Sequence, residues 1–126
     1  MSLFSTLFGA SSKIEVEPPE HAVIVHFEYD GSHDLKPLLD LQERLQAVIA
    51  AAQAGEFEGK EIGADGTNGR LFMFGPDADR LFEVIKPLLA ACPFMGGARV
   101  QLLYGPPEEG VRERNILLGE RLADAG

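Results

Sequence analysis

Four large apolar residues in a row, Leu71-Phe72-Met73-Phe74, stand between a glycine-bearing turn, Gly66-Thr67-Asn68-Gly69, and a break at Gly75-Pro76-Asp77. A run this short, with turn residues at both ends, reads as a strand, because a helix needs more length. Side chains alternate along a strand, so Leu71 and Met73 fall on one face and Phe72 and Phe74 on the other. A strand that is apolar on both faces expects cover on both faces. That requirement constrains every other part of the chain.

The first strand is His21 to Tyr29, with Val23, Val25 and Phe27 on one face and Ala22, Ile24, His26 and Glu28 on the other. Asp30-Gly31-Ser32-His33-Asp34 turns into a helix, in which Leu38, Leu41, Leu45, Val48, Ile49 and Ala52 recur at steps of three and four. Pro37 fits the first turn, where no N–H is needed, and Ser32 or Asp34 supplies the cap. Asp40 and Arg44 have i,i+4 spacing, and Gly55 serves as the stop. Glu56 to Asp65 is a weaker strand, with Gly59 and Gly63 against it and the alternation of Lys60-Glu61-Ile62 for it. Asp77 is placed to cap a second helix that buries Leu81, Phe82, Val84, Ile85, Leu88 and Leu89. Pro87 inside that helix predicts a bend or break. Gly96-Gly97 precedes a strand from Arg99 to Tyr104, with Leu103 opposing Val100, Leu102 and Tyr104, and Val111 to Leu118 is a last strand.

Strand, helix, strand, strand, helix, strand is the order of an α+β, ferredoxin-like βαββαβ plait. It predicts an antiparallel sheet with two helices on one face, plus an extra C-terminal strand. Residues 21–119 make up this domain, and a chain of 126 residues suits one domain with a self-sufficient core. Residues 1–20 are an N-terminal extension, in which Leu3, Phe4, Leu7 and Phe8 share one side of two helical turns. Ile14 to Glu17 within it alternates like a short edge strand that Pro18-Pro19 ends, and residues 120–126 are a tail.

Charge narrows the partners. Twenty acids face eleven bases, for a net charge of −9. Phosphate backbones are bound by neutralising them with Lys and Arg, so neither nucleic acid nor an anionic membrane is an expected partner. Arg112 and Arg114 are the one close basic pair outside the helices. No apolar stretch nears the ~20 residues that span a bilayer. The single cysteine, Cys92, has no intrachain partner, which favours the cytoplasm. Its neighbours Ala90, Ala91 and Phe94 bring no positive charge, so a buried, inert thiol is expected.

One polar row carries candidate chemistry. His26, Glu28 and Asp30 alternate along the first strand, and Glu61 or Asp65 lies within reach on a neighbour. Imidazole and carboxylate suit a divalent metal or acid–base work, which makes His26, Glu28 and Asp65 the weak candidates for a metal. The spacing matches no metal motif, a solvated sheet face produces the same pattern, and no cofactor is expected. Ser32-His33-Asp34 has the letters of a hydrolytic triad, but those groups must converge from separate segments. Gly63 to Gly69 is glycine-rich, yet it opens into a strand rather than a helix and lacks the lysine of a phosphate loop.

With both helices on one face, Ile24, Phe72, Phe74 and Leu103 fall on the uncovered one. The N-terminal segment folding back, a second copy or a foreign partner must shield them. Symmetric dimers are the commonest oligomers, so the expectation is a non-enzymatic interaction or regulatory module that forms a homodimer through these residues. The alternatives are a small-molecule- or metal-binding domain or modest enzyme built on His26, Glu28 and Asp65, and an acidic inhibitor or immunity-type protein that occupies a basic site elsewhere.

Overall fold

Periodicity becomes architecture in the computed structural model, which describes residues 20–29, 34–105 and 110–118. The elements are β1 (His21–Glu28), α1 (Lys36–Ala52), β2 (Glu56–Ile62), β3 (Asn68–Gly75), α2 (Ala78–Ala90), a 3₁₀ turn at Pro93–Met95, β4 (Arg99–Leu103) and β5 (Glu113–Leu117). The strands form one mixed-order sheet, β2-β3-β1-β4-β5, in which every neighbouring pair is antiparallel. What was expected of the N-terminal extension, the C-terminal tail, Asp30, Ser32 and His33 falls outside the described residues.

Register decides which residues meet the helices. Val23 pairs with Met73 and Leu102, and Val25 with Leu71 and Val100, so these six side chains share one face. They join Leu38, Leu41, Leu45 and Ile49 of α1 and Leu81, Phe82, Ile85 and Leu89 of α2 in a single core. Fully burying each such aliphatic side chain is worth about 1.5–3 kcal/mol. Both helices therefore lie on the Val23 face, and the described residues place no helix over the other.

Several local expectations need correction. Asp40 pairs with Lys36 at 3.3 Å rather than with Arg44. The preceding turn has both partners on one exposed helix face, with the cation nearer. Helix α1 ends on Gln53, which takes the left-handed conformation at φ 53°, before Gly55 is reached. The backbone position before α1 belongs to Leu35, with no side-chain cap, although the Asp34 carboxylate accepts from the Lys36 N–H at 3.1 Å. Helix α2 runs unbroken through Pro87. Glu83, whose carbonyl loses its bond to the proline, and Pro87 itself are both on the exposed side of the helix, where a lost donor costs least. Asp77 does cap α2, accepting from the Arg80 N–H at 3.2 Å.

Gly55 has a different task. The chain leaving α1 crosses the end of β3 so closely that a Cβ at Gly55 would lie 2.1 Å from the Phe74 carbonyl oxygen, and one at Gly75 would lie 2.3 Å from that of Ala54. Two facing glycines let β2 start directly beside β3. Arg80 of α2 then donates to the Ala52 carbonyl at 2.9 Å, satisfying the open end of α1 from the neighbouring helix. Strand β2 carries a bulge between Phe57 and Gly59, which explains its weak alternation in the sequence.

Candidate functional site

The helix-free face is built in rows that run across the strands. One row is Glu56, Phe74, Ala22, Leu103 and Glu113; the next is Gly59, Phe72, Ile24, Gln101 and Asn115; the third is Glu61, Arg70, His26, Arg99 and Leu117. Apolar groups thus gather on the central strands of the first two rows, and charge gathers in the third. Ile24, Phe72, Phe74 and Leu103 come together as expected from alternation. Phe72, Phe74 and Ile24 are half-buried, while Leu103 is only 5% exposed and offers little to an incoming partner.

The charged row opens into a cleft of about 720 Å³, lined by His26, Glu28, Glu61, Asn68, Arg70 and Arg99 together with backbone at Gly96-Gly97. That volume is in the range of small-molecule sites. Arg70 is paired with Glu61 and lies 5.4 Å over the Phe72 ring. Arg99 donates to the neutral Asn115 Oδ1 at 2.8 Å. His26 Nε2 is 3.0 Å from Gln101 Oε1, and the Gln101 amide N–H reaches Glu113 at 3.4 Å. Glu113 only accepts, so Gln101 turns its oxygen to His26 and His26 donates through Nε2.

Of the three residues singled out for acid–base or metal work, the cleft unites His26 and Glu28. Asp65 stands apart in the β2–β3 turn, where its carboxylate accepts from the Thr67 hydroxyl at 2.7 Å and the Thr67 N–H at 3.0 Å. Those bonds, the hydroxyl first, hold its carboxyl below the ordinary range. Asp65 therefore stabilises the hairpin turn. Among the described residues, no group of three or more His, Cys, Asp and Glu side chains is close enough to hold a metal ion.

The two arginines escaped the sequence reading. Arg70 shares the parity of Phe72 and Phe74, which was a usable signal. Its alignment with His26 and Arg99, however, depends on strand pairing that alternation alone does not give. Arg112 and Arg114 are engaged at the other end of the sheet. Arg112 lies 5.3 Å over the Tyr104 ring, and Arg114 and Tyr104 both donate to Asp79, at 3.3 and 2.6 Å. Burial first, and then the bond to Asp79, raises the Tyr104 phenol above its ordinary value.

Cys92 is half-buried, and burial pushes its thiol up, against small opposing effects of nearby backbone and of Arg44. The positive charge that its chain neighbours lack comes from α1. The thiol borders a groove of about 420 Å³ between the helix ends, beside Leu88 and Phe94. Among the described residues, no helix is long and apolar enough to cross a membrane. No protein-family model, curated protein or solved structure matches the chain.

Proposed function

We propose that this protein is a non-enzymatic interaction module on a ferredoxin-like plait, and that it self-associates as a homodimer through the helix-free face of its sheet. The observation that carries the reading is the gathering of Phe72, Phe74 and Ile24 in two adjacent rows on central strands, half-buried and on the side opposite both helices. Apolar groups at the centre of a sheet gain from being covered, and their polar surround of Glu56, Gln101, Glu113 and Asn115 has the make-up of an interface rim. A second copy presents the same patch, so a two-fold contact matches apolar centre to apolar centre without any other component.

The test is the mass of the full chain in solution by analytical ultracentrifugation across a range of concentrations. A dimer is expected for the natural protein. Phe72→Glu should be a monomer with an unchanged far-ultraviolet circular dichroism spectrum, because the side chain is not part of the core. A natural protein that stays monomeric throughout, or a Phe72→Glu variant that remains dimeric, overturns the reading.

A further inference from the structure

The basic row of the helix-free face has a feature that a solvated sheet surface does not need. Arg70, His26 and Arg99 are direct cross-strand neighbours on β3, β1 and β4. Directly opposed side chains on adjacent strands sit close together, so the His26 imidazole lies between the two arginines, which are themselves two strands apart. The chain has nearly twice as many acids as bases, yet it sets two arginines on either side of a histidine. Glu61 answers Arg70 only. Among the described residues, Arg99 meets no carboxylate, its guanidinium bonding to the Asn115 amide oxygen alone. Arg99 is exposed, and its N–H groups beyond that bond have no partner among the described residues.

We infer that the cleft beside this row binds the carboxylate group of a small organic acid, with Arg99 as the principal anchor and His26 beside it. A guanidinium matches a carboxylate in plane and spacing, and charge-assisted pairs of this kind are among the stronger hydrogen bonds. The hydrogen bond to Gln101, itself bound to Glu113, uses the Nε2–H of His26, so the imidazole is held as a fixed wall of the cleft while Arg99 supplies the donors. Glu28 and Glu61 border the same cleft and set the selectivity. A doubly charged phosphate pays repulsion from both, whereas a single carboxylate seated at Arg99 pays less. Of the apolar groups at the cleft, Phe27 is buried and Ile62 half-buried, both turned to the helix side, so the ligand is recognised through its carboxylate. The row adjoins the apolar patch, and Gln101 and Asn115, which bond to His26 and Arg99, belong to the polar rim of that patch.

Nuclear magnetic resonance titration of the ¹⁵N-labelled full chain tests it, with benzoate and inorganic phosphate as separate probes. Benzoate should produce saturable shifts centred on the amides of Gly96, Gly97 and Gly69, and phosphate should bind more weakly. Arg99→Gln should weaken benzoate binding about tenfold or more, while it retains the bond to Asn115. Arg99→Lys keeps the charge without the planar fork and should fall between the two. Arg112→Gln, at the other end of the sheet, should leave binding unchanged. Absence of saturable shifts with benzoate, phosphate binding as tightly as benzoate, or equal weakening by Arg99→Gln and Arg112→Gln each overturns the proposal.

Discussion

Val23, Val25, Leu71, Met73, Val100 and Leu102 are closed to solvent, while Ile24, Phe72 and Phe74, their immediate neighbours along the chain, are half-buried. The two sets belong to the same strands and differ only in parity. On the first face, two helices complete the packing and fix each side chain against many others. On the second, among the described residues, Ile24, Phe72 and Phe74 adjoin one another and a polar border. Hydrophobicity alone thus marks where burial is favourable, and it does not say what supplies the cover. The helix-covered face is where the fold is stabilised, and the helix-free face keeps apolar surface that the helices do not cover.

The strongest way to break this contrast is a pair of substitutions one residue apart. Met73→Ala removes a fully buried side chain and should cost about 2–5 kcal/mol of unfolding free energy. Phe72→Ala removes a larger side chain that is only half-buried, and at protein concentrations too low for association it should cost no more than about 1–2 kcal/mol. Urea denaturation of both variants reads the difference directly. Equal losses would mean that the helix-free face is as much a part of the core as the other.

The two histidines of β1 sharpen it on a smaller scale, because they fall on opposite faces. His21 accepts from the Ala78 N–H at 3.0 Å, which satisfies a donor at the start of α2, and its ring meets the Tyr104 ring edge-on at 5.6 Å. His21→Ala should therefore destabilise the protein by about 1 kcal/mol, the usual worth of a helix cap. His26 bonds to a glutamine side chain on the helix-free face. His26→Ala should cost roughly half as much or less, a typical net value for one partly exposed hydrogen bond. A larger loss at His26 than at His21, in the same denaturation experiment, would assign His26 to the framework rather than to the cleft.

How much of this was readable in the sequence follows from the range of the forces involved. Strand parity is local, and the division of Phe72, Phe74, Ile24 and Leu103 from Leu71, Met73, Val23 and Val25 was visible in the alternation alone. So was the α1 stripe, and so was the Asp77 cap. The departures came where a contact between distant segments chose among local options. Gly55 looked like a helix stop but answers to Gly75, which is 20 positions away. Pro87 suggested a bend or a break, and α2 is continuous through it, on an exposed side of the helix. The site was less legible than the fold for the same reason. His26 and Glu28 stand two apart on one strand and announce themselves, whereas Arg70 and Arg99 are joined to them only through register. Asp65 satisfied a compositional search for ligands, and its own turn had already claimed it.

The smallest effect lies at the margin of the helix-covered side, where Cys92 follows α2. Burial raises its thiol, and the pull of Arg44 from α1 offsets only part of that. Since the thiolate is the form that reacts, a raised thiol leaves less of it at any given pH. Iodoacetamide should alkylate the folded protein more slowly than free cysteine at neutral pH, and the midpoint of the rate–pH profile should lie above that of a free thiol. In concentrated urea the helix ends separate, the desolvation is lost, and the midpoint should return to the ordinary value. A folded protein that reacts as fast as free cysteine, with the same midpoint in urea, would show that the helices do not extend their dry side as far as residue 92. The boundary between the two regions would then have to be drawn further inside α2.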